Sequence, residues 1–153
     1  MTRSGFGTFL GESLRILARE VPEAYREMCR ALVGREVGLQ VDDSTVAVLY
    51  ESERAVLLHE PRRPTVDVRT SRDAILALID ARTSFIDAAL EEALDLRGTP
   101  GDLLAFLDGL TAYLHGSVRA PSFPALLRRY RIADPLAHAV PTRTRRPSRG
   151  DAG

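Results

Sequence analysis

The chain contains no lysine, no asparagine and no tryptophan, and its only cysteine is Cys29. Each gap removes a class of chemistry. Without lysine there is no Schiff-base nucleophile, so pyridoxal-type and aldolase-type covalent catalysis is excluded. Without asparagine there is no N-glycosylation acceptor. A single cysteine allows no internal disulfide. Cys29 falls in a helical stripe with Tyr25, Met28 and Leu32, where a small buried hydrophobe is the simpler reading than a reactive thiol. The codons of the two missing types Lys and Asn are A-rich, which points to a GC-rich, bacterial coding sequence. No apolar run approaches the ~20 residues that span a bilayer. The N-terminus, with Arg3 before Phe6, lacks a signal-peptide core. A cytoplasmic protein is the expectation.

Recognisable catalytic and cofactor motifs are also missing. The three histidines, His59, His115 and His138, are scattered, and no pair has metal-ligand spacing. Gly5-Phe6-Gly7 follows no strand and is no dinucleotide fingerprint. No GxSxG nucleophile elbow occurs. We therefore expect no metal and no cofactor.

What is present suits one domain of 153 residues with a real core. The net charge is zero but unevenly spread. Residues 1–115 carry 13 Arg against 19 acids, and residues 116–153 carry 8 Arg against Asp134 and Asp151. An acidic body thus precedes a basic C-terminal segment.

Hydrophobic periodicity orders the elements. Leu10, Leu14, Leu17 and Val21 recur as one helix face, and Pro22 opens or kinks a continuation through Tyr25, Met28 and Leu32. Gly34 ends it. The period then becomes two. Val37, Leu39 and Val41 form one strand, Val46 to Tyr50 a second that is apolar on both sides, and Ala55 to His59 a third. Short links make these a meander with the two-sided strand inside the sheet. Val66–Thr70 and Leu94–Leu96 add two strands. Thr70 or Ser71, Thr83 or Ser84, and Thr99 followed by Pro100 mark three helix starts. Gly116 ends the longest of these helices, and Ser122 caps a last one through Leu126, Leu127 and Tyr130. The pattern predicts an α+β fold, a five-stranded, mostly antiparallel sheet with helices on one face. Its parts are an N-terminal helical segment (1–34), a main domain (35–131) and a disordered Pro/Arg-rich tail (132–153).

Two segments carry a family resemblance: VDVRTSRDAILALIDAR (Val66 to Arg82) and LDLRGTPGDLLAFLDGL (Leu94 to Leu110). Their strand, capped helix, short helix, LxLRG strand and final helix resemble the sterol carrier protein two family, over roughly Val37 to Leu114. The resemblance implies an apolar tunnel between sheet and helices, lined here by Ile75, Ile79, Ile86, Leu90, Leu103, Leu107, Leu110, Tyr113 and Leu114. It carries no catalytic residue. The family has glycine where this chain has Ala81 and Glu92. If those turns are unchanged, each non-glycine costs ~1 kcal/mol.

The implied function is non-enzymatic binding or transfer of a sterol, fatty-acyl or related lipid. Two alternatives stay open. One is an interaction module with a filled core and a basic tail. The other is an enzyme acting on an apolar small molecule, with Tyr113 or His115 as acid or base. The pairs Asp67/Arg69 and Asp95/Arg97 read as ion pairs on a solvated sheet face rather than as catalytic acids. In the tail, Arg143, Arg145, Arg146 and Arg149 suggest weak contact with an anionic membrane. Without interleaved aromatics, nucleic acid is not expected as a partner.

Overall fold

The structure, a computed structural model, describes residues 5–132. The elements are α1 (Phe6–Glu20), α2 (Pro22–Ala31), β1 (Glu36–Val41), β2 (Ser44–Tyr50), β3 (Ala55–Leu58), β4 (Val66–Thr70), α3 (Arg72–Ile79), α4 (Phe85–Leu90), β5 (Leu94–Arg97), α5 (Pro100–Arg119) and α6 (Phe123–Ile132). The tail beyond Ile132 lies outside the described residues.

The five strands form one sheet in the order β3-β2-β1-β4-β5. Three pairings are antiparallel, and β1 pairs with β4 in parallel. The two-sided strand β2 lies inside the sheet, as its pattern predicts, with Ala47 fully buried. A parallel pair needs a return connection. Here the 59–65 loop makes it, pinned by Glu36. That buried carboxylate accepts from the backbone N–H of Arg62 (2.6 Å) and Arg63 (3.2 Å), and the Thr65 N–H donates to the Glu36 carbonyl (2.9 Å). The register sets Asp67 opposite Arg97 and Arg69 opposite Asp95, which places the four charges on one sheet face.

Alternation puts Val37, Leu39, Val48, Tyr50, Val66 and Val68 on the other face, under the helices. Helix starts follow side-chain chemistry. Ser71, Ser84 and Thr99 accept from the N–H three residues on, at 3.1, 3.0 and 3.1 Å. Each such cap is worth about 1 kcal/mol. Gly98, before the last cap, has φ +157°, and a Cβ there would meet the Thr65 carbonyl oxygen at 2.8 Å.

Two expected helix signals prove to have other roles. Gly116 does not end α5, which continues to Arg119. It is buried inside the helix, and a Cβ there would meet Leu17 at 2.6 Å and Ala24 at 2.8 Å. Gly109, two turns earlier, faces Leu32 at 2.3 Å in the same sense. The hydroxyl of Ser122 is turned away from capping: it donates to Glu20, which also accepts from the Ser122 N–H (2.9 Å). Glu20, at the end of α1, therefore caps α6 from the far end of the sequence. Those two hydrogen bonds hold its carboxyl below the ordinary range.

The α3 and α4 helices both end in left-handed turns built without glycine. Ala81 has φ +60° and Glu92 has φ +63°. The turns are thus kept and the glycines are not. Ala81→Gly and Glu92→Gly should each raise stability by about 0.5–1 kcal/mol, measured by denaturant unfolding with an unchanged m-value.

Acid should loosen two contacts between elements distant in sequence. Glu20, bonded to Ser122, and Asp102, bonded to Arg35 and Thr99, are both held below their usual values. The unfolded chain then binds more protons in the acid range. The stability these groups contribute is complete above about pH 5 and falls as pH drops through the folded-state values. A melting-temperature series from pH 7 to 3 should show a smaller acid loss for Glu20→Gln than for the wild type.

Candidate functional site

Between the apolar sheet face and the helices lies a cavity of about 120 Å³. Its floor is Val37, Leu39, Val48, Tyr50, Val68, Thr70 and Leu94 from the strands. Its walls are Phe6, Phe9, Leu10 and Leu14 of α1, with Met28 of α2 and Leu32 just beyond it. Ile75, Leu78 and Ile79 of α3, and Phe106, Gly109, Leu110, Tyr113 and Leu114 of α5, complete them. No charged side chain is among these lining residues. The polar atoms they offer from side chains are the hydroxyls of Tyr50, Tyr113 and Thr70.

Those hydroxyls are held differently. Tyr113 donates to Ser13 Oγ (2.8 Å), and Ser13 Oγ donates to the Leu10 carbonyl (2.8 Å), which links α5 to α1 beside the cavity. Thr70 donates to the Ala93 carbonyl (2.7 Å). Burial pushes the Tyr113 phenol up to about 12 and raises Tyr50 still further. Both therefore stay protonated, as neutral hydroxyls, at neutral pH. Burial likewise raises the Cys29 thiol above its ordinary value, so little thiolate forms there. His115 is exposed and is not part of the lining. Among the described residues, no group of three His, Cys, Asp or Glu side chains could hold a metal ion.

The residues that the family resemblance places on the tunnel divide among three environments. Ile75, Ile79, Leu110, Tyr113 and Leu114 lie on the cavity wall. Ile86 and Leu90 are 64% and 76% exposed. The α4 helix has only six residues and turns Ala88 inward, which sends Ile86 and Leu90, four apart, to the opposite side. Leu103 and Leu107 are half-buried outside the lining. The seam of α5 runs through Phe106, Gly109, Leu110 and Tyr113, rotated from the leucine stripe.

Sequence reasoning missed the α1 contribution and the sheet floor. Phe6, Phe9 and Leu10 are spaced i, i+3, i+4, a face the Leu10–Leu14–Leu17 stripe already began, so the signal was present. The α1 helix is anchored from outside by α6. Phe9 stacks on Tyr130 (centroids 4.3 Å, 19°) and meets Phe123 edge-on (6.0 Å, 62°). Arg72, at the start of α3, lies over the Tyr130 ring at 4.6 Å. At the other end of α3, Arg131 of α6 grips both oxygens of Asp80 at 2.7 Å.

This arrangement is the sterol carrier protein 2 fold, a mixed, mostly antiparallel five-stranded sheet under helices. Comparison with solved structures shows the likeness at the level of the fold. A sterol carrier protein domain from Helicoverpa armigera matches with TM-score 0.57 and 16% identity, over 74% of this chain and 93% of that one. A structure titled UbiJ-SCP2 ubiquinone synthesis protein matches with TM-score 0.54 and 13% identity, over 68% and 84% of the two chains. Sterol carrier protein 2 from Yarrowia lipolytica, in its apo form, matches with TM-score 0.51 and 8% identity, over 79% and 97%. No protein-family model and no curated sequence matches the chain.

The space should accept a larger side chain. Leu110→Trp should change stability by under ~1 kcal/mol in denaturant unfolding, against the 1–3 kcal/mol loss that overpacking a filled core causes.

Proposed function

We propose that this chain binds an apolar molecule, a sterol, fatty-acyl compound or related lipid, and carries or presents it without chemical change. The observation that supports this most directly is a cavity between sheet and helices with an apolar, uncharged lining. Ligand sites for small molecules are mostly apolar with a few placed polar groups, and Tyr50 and Tyr113 fit that role. Structures with this fold bear the names sterol carrier protein and ubiquinone synthesis protein, and both names concern apolar molecules. The enzyme reading has less support. Neither cavity phenol titrates near neutrality, and His115 lies off the lining.

The cavity is smaller than the ~300 Å³ at which drug-sized sites begin. A lipid chain therefore enters only if a wall gives way. The α3–α4 segment suits this part. Its two helices are short, both end in turns that disfavour their residues, and α4 is largely exposed. Loading from a bilayer would be aided by the basic tail with Arg143, Arg145, Arg146 and Arg149, at ~1 kcal/mol per Arg near an anionic surface. No described helix is long and apolar enough to cross a membrane.

Native mass spectrometry of the purified protein, before and after organic extraction, tests the proposal. We expect a lipid-sized adduct that extraction removes and that Leu110→Trp lowers. A protein of bare mass that takes up no lipid after incubation with a lipid extract would leave the interaction-module reading. Deleting Pro141 to Gly153 should abolish sedimentation with anionic vesicles and leave the melting temperature unchanged. The binding of the full chain should vanish above ~0.3 M salt. Equal sedimentation of the truncated protein would move the membrane contact elsewhere.

A further inference from the structure

The hydroxyl of Tyr50 stands out among the polar groups of the cavity. Tyr50 closes β2, lines the cavity and is only 8% exposed. Its backbone is fully used: the N–H donates to the Arg35 carbonyl (3.0 Å), and its own carbonyl accepts from the Gly34 N–H (2.8 Å). Among the described residues, no protein group pairs with the phenol oxygen. The neighbouring hydroxyls are all engaged, Tyr113 with Ser13, Thr70 with Ala93, and Tyr25 as acceptor from the Ala55 N–H at 2.8 Å. Burying a hydroxyl without a partner is unfavourable. A phenylalanine would fill the same place without that cost. An oxygen kept at the wall of an otherwise apolar space is therefore explained by a partner that arrives with the ligand.

The chemistry of that partner follows from the rest of the lining. Burial keeps the phenol protonated, so it is a donor. Among the described residues the lining holds no arginine and no histidine, so none of them there would neutralise an anion. An ionised carboxylate would lose its water and gain one neutral hydrogen bond, which does not compensate. We infer that Tyr50 donates a hydrogen bond to a single acceptor oxygen of an uncharged apolar ligand, so that the cavity selects ketones, esters or alcohols over carboxylates. This rests on the reading of the cavity as a ligand site, and it narrows that reading to neutral lipids.

Probes of matched size test it on the full chain. Acetophenone and isopropylbenzene have the same number of heavy atoms and differ by a carbonyl oxygen in place of a methyl group, and benzoate adds the charge. They suit a cavity of this size, since an engineered apolar cavity of roughly 150 Å³ takes up benzene. Dissociation constants would be measured by calorimetry at pH 7.5 for the wild type and Tyr50→Phe. This substitution removes only the oxygen, and we expect the variant to melt no lower than the wild type. Acetophenone should bind about five-fold more weakly to the variant, the loss of one neutral hydrogen bond. Isopropylbenzene should bind both proteins alike. Benzoate should bind the wild type at least about ten-fold more weakly than acetophenone, because its charge finds no partner. Acetophenone binding that is unchanged in Tyr50→Phe, while isopropylbenzene still binds, overturns the role of Tyr50 and leaves the cavity standing. Benzoate binding as tight as acetophenone overturns the selection for neutral ligands. If none of the three binds the wild type, the reading of the cavity as a ligand site fails, and this inference fails with it.

Discussion

The close approach of α5 to the first two helices governs the rest of the structure, and it depends on two absent side chains. At Gly109 and Gly116 a Cβ would stand 2.3 Å from Leu32 and 2.6 Å from Leu17, closer than any packing permits. Their spacing of two turns puts both on one stripe. That stripe lets α5 lie low over α2, which holds α2 and α1 against the sheet. The same contact bounds the cavity, since Gly109 and Leu32 both line it. A helix of all-leucine seam would ride higher and would open the space to solvent or collapse it differently. The site and the packing of the core are thus set by one geometric constraint.

The elements were legible because their signals are local. Alternation or a short apolar run marked every strand, and Ser71, Ser84 and Thr99 cap their helices as the sequence pattern predicts. The strand order was less so. Nothing near Glu36 indicates that its carboxylate will hold a loop 26 residues away and so permit the parallel β1–β4 pairing. The roles of Gly116 and Ser122 were misread for the same reason. A glycine near a helix end and a serine before a helix have standard local meanings, and here contacts with Leu17 and Glu20 override them. The cavity was the least legible part. Periodicity shows which residues turn inward, but not whether the space they enclose is filled. Nor can a sequence show that the Tyr50 hydroxyl lacks a partner among the described residues, because that depends on every element around it.

The α3 helix is where packing and site meet. Its inner face supplies Ile75, Leu78 and Ile79 to the cavity. Its ends are fastened to α6 by Arg72 over Tyr130 and by Arg131 on Asp80. The ion pair is partly exposed, with side chains 40% and 29% accessible, so it is weakened by salt and is modest in strength. The α3 helix is thus fastened to α6 at both ends while Ala74 and Leu76 along its length are buried.

The hold of α6 on α1 has a consequence for how the protein comes into being. Ser122 meets Glu20, and Arg129 meets Glu12, across 102 and 117 residues of sequence. Besides Phe6 within α1, Phe9 has its ring partners Phe123 and Tyr130 in α6. During synthesis α1 therefore emerges long before α6, and the part of its aromatic face that α6 covers waits until that helix has followed. Contacts that distant close late and slowly, and exposed apolar surface on a waiting segment invites association with other chains. Until α6 has emerged, that face of α1 is an apolar surface in need of shielding.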